Sequence, residues 1–157
     1  MPVSKAARFG LYAVTMMARA PGEAVSARAV AETFGISENH VAKVLQQLVR
    51  ARLVRGTRGV GGGYQLSCDP TQVSMLEVVE SIDGPRPGKC AQCDLWRGDG
   101  DDCQPHPAAC AIQRVFSEIE QTAYFTMKSV TLATLASSDF VGLAHQPATG
   151  KGRAPAR

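Results

Sequence analysis

The order of apolar and polar residues predicts a helix at the start of the chain. Leu11, Val14 and Met17 recur every three to four positions, which is the period of one helix face. Residues 4–20 are mostly helix formers, and a Pro-Gly pair follows them directly. We therefore expect a first helix over residues 4–20.

A second, shorter helix is predicted over residues 27–33. Ser26 precedes it and is a good N-cap, because its hydroxyl can accept a hydrogen bond from a free backbone N–H of the first turn. Val30 and Phe34 are expected to face inward, and Gly35 breaks the helix.

A third helix is predicted over residues 38–51, with Ser37 as its N-cap. Its inner face is expected to carry Val41, Val44, Leu45, Leu48 and Val49. Two short helices joined by a tight turn, of which the second is amphipathic and basic, form a helix-turn-helix.

Two short strand candidates follow the third helix. Residues 53–55 and 64–66 flank the glycine-rich segment 56–63. A strand, a glycine-rich tip and a second strand make a β-hairpin, and a hairpin in this position is a wing. The glycines do not stand in the order of a phosphate-binding or dinucleotide-binding loop, so nucleotide binding is not expected.

The second half of the chain is predicted to hold one short and one long helix. Residues 74–82 form the short helix, which an Asp-Gly-Pro sequence ends. The long helix over residues 111–136 has an apolar stripe made of Ile112, Val115, Phe116, Ile119, Ala123, Met127 and Val130. At 1.5 Å per residue this helix would be about 40 Å long, which is longer than a small domain needs internally. We therefore expect the apolar stripe to be covered by the same helix of a second copy.

These elements predict a mainly α fold with a small β-hairpin wing. The winged helix-turn-helix domain would occupy residues 1–85, a cysteine-rich metal-binding or cluster-binding loop residues 86–110, and the dimerisation helix residues 111–136. The tail, 137–157, is rich in Gly, Pro and Ala and is expected to be disordered.

Charge is unevenly distributed along the chain, whose net charge is +3. Residues 1–60 carry nine Lys and Arg against three Glu, whereas residues 61–110 carry three against eight acids. A basic front end suits a polyphosphate partner, although a solvated helical surface is equally compatible with composition alone. The chain has no apolar run of 18 residues and no secretory leader, so we expect no membrane span and a cytoplasmic protein.

The predicted DNA-reading surface is the N-terminal half of the third helix. Its polar residues are Ser37, Asn39, His40, Lys43 and Gln47. Asn and Gln side chains can pair with adenine, and Lys can bind guanine or a phosphate. Ser26, Arg55, Arg58 and Gly61 complete the predicted set, with the arginines on the phosphate backbone or in the minor groove. The alternative is an ordinary solvated helix.

Four cysteines lie close together before the long helix. They are Cys90, Cys93, Cys103 and Cys110, spaced C-x2-C-x9-C-x6-C, with His106 as a further possible ligand. Thiolates in a polar, turn-rich segment indicate a soft metal, and zinc and an iron–sulfur cluster both fit the spacing. A redox CxxC would use Cys90 and Cys93 alone. Cys110 directly precedes the predicted helix, where free N–H groups favour a thiolate. Cys68 is expected to be a small buried residue.

The chain resembles the winged-helix regulators typified by the iron–sulfur cluster regulator IscR, the nitric-oxide-sensitive repressor NsrR and the iron regulator RirA. The resemblance rests on AARFGLYAVTMMA, on VAETFGISENHVAKVLQQLVRARLV, on the wing RGTRGVGGGYQL and on VSMLEVVESIDGP. It extends from residue 1 to about residue 136.

The resemblance implies a homodimeric repressor, not an enzyme, that binds a pseudo-palindromic DNA operator. It also implies an iron–sulfur cluster, 2Fe–2S or 4Fe–4S, which senses nitric oxide, oxidants or the supply of iron and clusters. The family pattern has three cysteines, and Cys110 and Cys103 match the last two. Cys90 or Cys93 matches the first, and the other is a possible fourth ligand. A winged-helix regulator with a structural zinc remains the alternative, as does a thiol redox protein without DNA binding.

Overall fold

A computed structural model describes residues 3–57, 59, 62–85 and 107–137, and for Pro107 and Ala109 it describes the backbone alone. The elements in chain order are α1 (Lys5–Arg19), α2 (Ala27–Phe34), α3 (Glu38–Arg50), β1 (Val54–Thr57), β2 (Gly63–Leu66), α4 (Met75–Asp83), α5 (Pro107–Ser129) and α6 (Leu132–Ala136). The fold is therefore mainly α with one two-stranded antiparallel hairpin, as predicted.

Serine caps set the starts of three helices. Ser4, Ser26 and Ser74 each accept a hydrogen bond from a first-turn N–H of α1, α2 and α4. Ser74 and Glu77 form a full capping box, because the Glu77 carboxylate also accepts from the Ser74 backbone N–H at 2.7 Å. Gly35 ends α2 in the left-handed conformation, at φ +65°, which glycine adopts without steric cost.

One apolar core joins the helices, and α1 lies at its centre. Helix α1 packs against α3, α4 and α6, and its buried face carries Ala7, Gly10, Leu11, Ala13, Val14 and Met17. Fully buried partners come from the other elements: Val30, Val41, Leu45, Leu48, Val54, Val78, Val79 and Leu132. The helix-turn-helix, the hairpin and both C-terminal helices thus share a single core.

The hairpin is attached to the helical part by its second strand. Val54 pairs with Leu66, and Thr57 pairs with Gly63. Tyr64 forms an isolated antiparallel bridge with Val25, with two backbone hydrogen bonds of 2.9 Å. A side chain on Gly63 would collide with the Val25 backbone, so the close approach requires glycine here.

Two residues predicted to face inward are exposed instead. Phe34 at the end of α2 and Val49 near the end of α3 both lie at the surface. In α3 the core is filled by Val41, Val44 and Leu48, and Val49 falls beside this stripe. Phe34 is the last residue of α2, and its ring stacks on that of Tyr12.

The long C-terminal helix is not continuous, contrary to the prediction. It begins at Pro107 rather than at residue 111 and ends at Ser129, and α6 follows as a separate helix. Thr131 caps α6, and the chain between the helices bonds to the segment before α4: Met75 N–H donates to the Val130 carbonyl at 2.7 Å and Leu132 N–H to the Val73 carbonyl at 2.9 Å. The break allows Leu132 to enter the core. Most of the predicted tail, residues 138–157, lies outside the described residues.

Candidate nucleic-acid interface

Helix α3 presents an exposed polar face. Asn39, His40 and Lys43 are exposed at its N-terminal end, and Gln47 is half-buried. Ser37 is also exposed, and its hydroxyl makes no capping bond, so it is available to a partner. These five residues were predicted as the reading surface, and the structure places all of them along one helix.

Sequence reasoning missed Gln46 as a member of this face. Gln46 is exposed and lies one helical turn after Lys43. Arg50, also exposed, lies one turn after Gln46. The period of 3.6 residues would have identified it, because Asn39, Lys43, Gln46 and Arg50 project in similar directions.

Helix α3 borders a groove on each side. One groove, of about 940 Å³, lies between α3 and α1, and the other, of about 540 Å³, lies between α3 and the hairpin. Gln46 and Arg50 line both grooves. The exposed polar face of α3 therefore lies between two grooves.

The hairpin carries one described arginine of the predicted set. Arg55 on β1 is exposed, and its guanidinium donates to the Gln65 amide oxygen across the hairpin at 3.2 Å. Gln65 in turn donates to the Gly22 carbonyl at 2.7 Å, which ties the hairpin to the end of α1. Arg58 and Gly61, at the predicted wing tip, lie outside the described residues.

Ser26 and Arg28 already have partners inside the chain. The Ser26 hydroxyl accepts from the Ala29 N–H at 3.0 Å, so a DNA contact there would use the remaining hydroxyl hydrogen. Arg28 forms an ion pair with Glu32 at 2.8 Å, and this hydrogen bond raises the pKa of the guanidinium. Arg28 is thus partly neutralised within α2.

Cys110 is the one member of the cysteine group that the structure describes. It was predicted to precede the helix, but it lies inside the first turn of α5 because the helix begins at Pro107, a residue suited to that position. Its thiol is exposed. Cys90, Cys93, Cys103 and His106 lie outside the described residues. Within the ranges that the structure describes, no three His, Cys, Asp or Glu side chains are grouped to hold a metal ion.

Cys68 is only half-buried, at the end of the hairpin, although it was predicted to be buried. Its sulfur lies 3.7 Å from the Leu53 carbonyl oxygen, and the side chain packs against the core. Burial raises the pKa of this thiol, with smaller contributions from Glu77 and Asp69. A raised pKa disfavours the thiolate, which is the form of cysteine that binds metals.

Helix α5 exposes a large apolar face. Ile112, Val115, Phe116 and Ile119 are between 54 and 61 % exposed. They recur at the spacing of one helix face, and toward the C-terminal end the same face continues to Met127, which is buried in the core. A contiguous exposed apolar stripe on a helix is typical of a protein–protein contact.

Comparison with known proteins identifies the family. The model of the Rrf2 family, described as an iron-dependent transcriptional regulator, matches residues 3–138. The chain belongs to the Rrf2 family. A relative from Rhodopseudomonas palustris that is named an HTH-type transcriptional regulator, BadM, is 36 % identical over 135 residues, which are 86 % of this chain and 81 % of BadM.

Solved structures of other proteins share the fold. CymR, the global cysteine regulator of B. subtilis, superposes with a TM-score of 0.68 at 24 % identity, over 87 % of this chain and 96 % of CymR. T. potens IscR superposes with a TM-score of 0.65 at 22 % identity, over 92 % of this chain and 94 % of that one.

Family membership makes the chain a DNA-binding transcriptional regulator and not an enzyme, which confirms the resemblance seen in the sequence. The thiol oxidoreductase alternative is therefore excluded. Among the described helices none combines the length and the apolar character needed to cross a lipid bilayer.

Proposed function

We propose that this Rrf2 protein is a homodimeric repressor that reads a pseudo-palindromic operator with α3 and whose affinity for DNA depends on an iron–sulfur cluster. The observation that carries the DNA-reading part is the polar, exposed face of α3, which projects between two grooves. Helices of this kind enter the major groove with their N-terminal residues at the base edges.

The roles at the interface follow from side-chain chemistry. Asn39 and Gln47 would pair with adenine edges, Lys43 with guanine or a phosphate, and Ser37 and His40 with whichever acceptor lies near. Arg55, Arg58, Gly61 and Ser26 would contact the phosphate backbone or the minor groove and fix the register of the protein on DNA.

A second copy would cover the apolar face of α5. Removing those side chains from water favours association, and a twofold axis at this face would place two α3 helices on two half-sites. The proposal of a dimer therefore rests on the apolar face of α5 that is exposed from Ile112 to Ile119.

Cys110 is the one thiol of the proposed ligand set whose surroundings the structure describes. Cys110 is exposed and lies in the first turn of α5, where its sulfur is accessible to a metal or cluster. Cys110, with Cys103, Cys90 and Cys93, would hold the cluster, and His106 is the further possible ligand. When bound, the cluster would supply a centre that reacts with nitric oxide or oxidants. Because Cys110 lies in the first turn of α5, loss of the cluster would change the contacts at the start of that helix.

The DNA proposal is tested by selecting bound sequences from random duplexes with the purified protein. We expect a palindromic consensus with two half-sites about one helical turn apart. Asn39→Ala should cost about 1–3 kcal/mol on the selected site and relax the preference at one base pair. Arg114→Ala, on the exposed surface of α5, is the control and should leave binding unchanged.

The wing is tested by Arg58→Ala. Because a backbone contact carries no sequence information, the variant should weaken binding to all duplexes and reduce the salt slope by about one counterion. The same affinity and the same salt slope as the parent protein would contradict a DNA-contacting wing.

The cluster proposal is tested by anaerobic purification. A coloured protein with visible absorption and bound iron and sulfide is expected, and Cys110→Ala should lose both while Cys68→Ala retains them. A colourless protein that contains zinc would contradict the cluster proposal and support a structural zinc site instead. Exposure to nitric oxide or oxygen, followed by footprinting, then identifies the signal and the DNA-binding form.

A further inference from the structure

The groove between α1 and α3 has the dimensions of a small-molecule site. Its volume of about 940 Å³ lies at the upper end of the range of roughly 300–1,000 Å³ found for ligand pockets. One wall is formed by the first half of α1, the other by α3, and the turn between α2 and α3 closes one side.

Aromatic rings line this groove. Phe9 and Tyr12 of α1 and Phe34 of α2 all contribute to its wall. The rings of Tyr12 and Phe34 are stacked, with centroids 4.7 Å apart and an angle of 18° between the planes, and each residue is 40 % exposed. Two parallel rings open to solvent offer a surface on which a further ring can pack.

The same groove is positively charged. Lys5, Lys43 and Arg50 lie along it, and none of the described lining residues is an acid. In the part of the chain that the structure describes, the ion pairs involve Arg28 and Arg114, so these three cations have no carboxylate partner there. Aromatic rings beside unpaired cations are complementary to a flat molecule with a negative charge.

We propose that this groove binds a small aromatic carboxylate and is an effector site of the protein. The ring of the ligand packs on Tyr12 and Phe34, and its carboxylate lies near Lys43 and Lys5. Because Lys43 also belongs to the proposed DNA-reading set, the bound ligand competes with DNA. The competition rests on the proposed function, whereas the binding itself does not.

The first test is a calorimetric titration of the free protein with 2-naphthoate, with the neutral 2-naphthamide as the matched ligand. We expect one 2-naphthoate bound per chain and weaker binding of the amide, by about two- to fivefold, as one exposed charge contact contributes. Equal affinities would overturn the role of the positive charge in the site, and no heat of binding up to millimolar ligand would overturn the site itself.

The second test locates the binding. Tyr12→Ala and Phe34→Ala should each weaken 2-naphthoate about 3- to 10-fold, the range of one aromatic pair, whereas Phe125→Ala should not. Phe125 is a matched control because it is 62 % exposed and lies on α5, outside the groove. Circular dichroism checks that the variants are folded, and Lys5→Gln provides a second change at the charged end. The same affinity in all variants would overturn the location.

The third test separates this proposal from the DNA-binding one. In low salt, 2-naphthoate should displace a random-sequence duplex from the parent protein and should require higher concentrations for Phe34→Ala. Binding of 2-naphthoate without displacement overturns the effector role but keeps the site. If Tyr12→Ala instead dissociates a dimer in light scattering, a second copy covers the groove and the ligand proposal is wrong.

Discussion

At Gly10, in α1, the absence of a side chain allows α3 and α4 to pack close to the α1 backbone. A Cβ atom at this position would collide with the end of the Ile82 side chain on α4 and come within 3.2 Å of Val44 on α3. Three helices therefore meet at Gly10, where α1 packs against α3 and α4.

We predict that the effect of Gly10→Ala depends on Ile82. Alanine favours a helix over glycine by about 1 kcal/mol, but the end of the Ile82 side chain must move to admit the new methyl group, so the single variant should gain less than this amount. In an Ile82→Ala background the collision is gone and the same change should stabilise. Urea unfolding of all four proteins measures the coupling, and strictly additive free energies would contradict the packing described.

Asp69, after the hairpin, contributes a pH-dependent part of the stability. Its carboxylate accepts hydrogen bonds from the Thr71 N–H at 2.8 Å and hydroxyl at 2.7 Å, which lower its pKa. A lowered pKa stabilises the fold above the ordinary Asp value of about 3.9, and this stabilisation is lost as the pH falls through the lower, folded-state pKa. Asp69→Ala should therefore destabilise at pH 7, and its deficit relative to the parent should shrink at pH 3.

At the scale of elements, the start of α4 depends on one serine. Ser74 is buried, and both its hydroxyl and its N–H donate to Glu77 at 2.7 Å, while its backbone also bridges to Thr131. Ser74→Ala should lower the free energy of unfolding by about 1 kcal/mol. Ser81→Ala is the matched change later in α4, where the hydroxyl donates to the Val78 carbonyl, and it should cost less.

The elements themselves were largely predictable, because caps and periodicity are local signals. Ser26, Gly35 and Ser74 set helix ends where the sequence indicated them. The break at Val130 and Thr131 was not predictable, since the apolar stripe continues through it and the reason for the break is the pairing with residues before α4. Phe34 was misplaced for a similar reason: its partner, Tyr12, is distant in sequence.

At the scale of the whole molecule, one face of α5 should decide the oligomeric state. Phe116→Glu places a charge in the middle of the apolar stripe, and burying an unpaired charge in an interface costs about 3 kcal/mol or more. The variant should therefore be monomeric at micromolar concentration in light scattering. Phe125→Glu, on the opposite face of the same helix, should remain dimeric. Dissociation by both changes, or by neither, would contradict an interface on this face.

The candidate site was predictable at the same scale only in part. The reading helix follows from local pattern, and the α3 residues chosen from it do lie together. The aromatic groove beside it required α1 and the end of α2 to meet, and no sequence period connects residues 12 and 34.

Helix α5 is anchored in the core at its C-terminal end alone among its described residues, so a small rotation there produces a large displacement at its N-terminal end. Met127 is buried in the core, and beyond it the chain is bonded to the segment before α4, whereas Cys110 stands at the opposite, exposed end. The arm from residue 107 to residue 127 is about 30 Å long, so a rotation of roughly 5° at the fulcrum moves its tip by about 2–3 Å. A force applied at Cys110 is correspondingly multiplied where α5 meets α4, and α4 packs directly on α1 and α3. In the proposed sensor, a chemical event at Cys110 would therefore act at the long end of an arm whose short end contacts the DNA-binding domain.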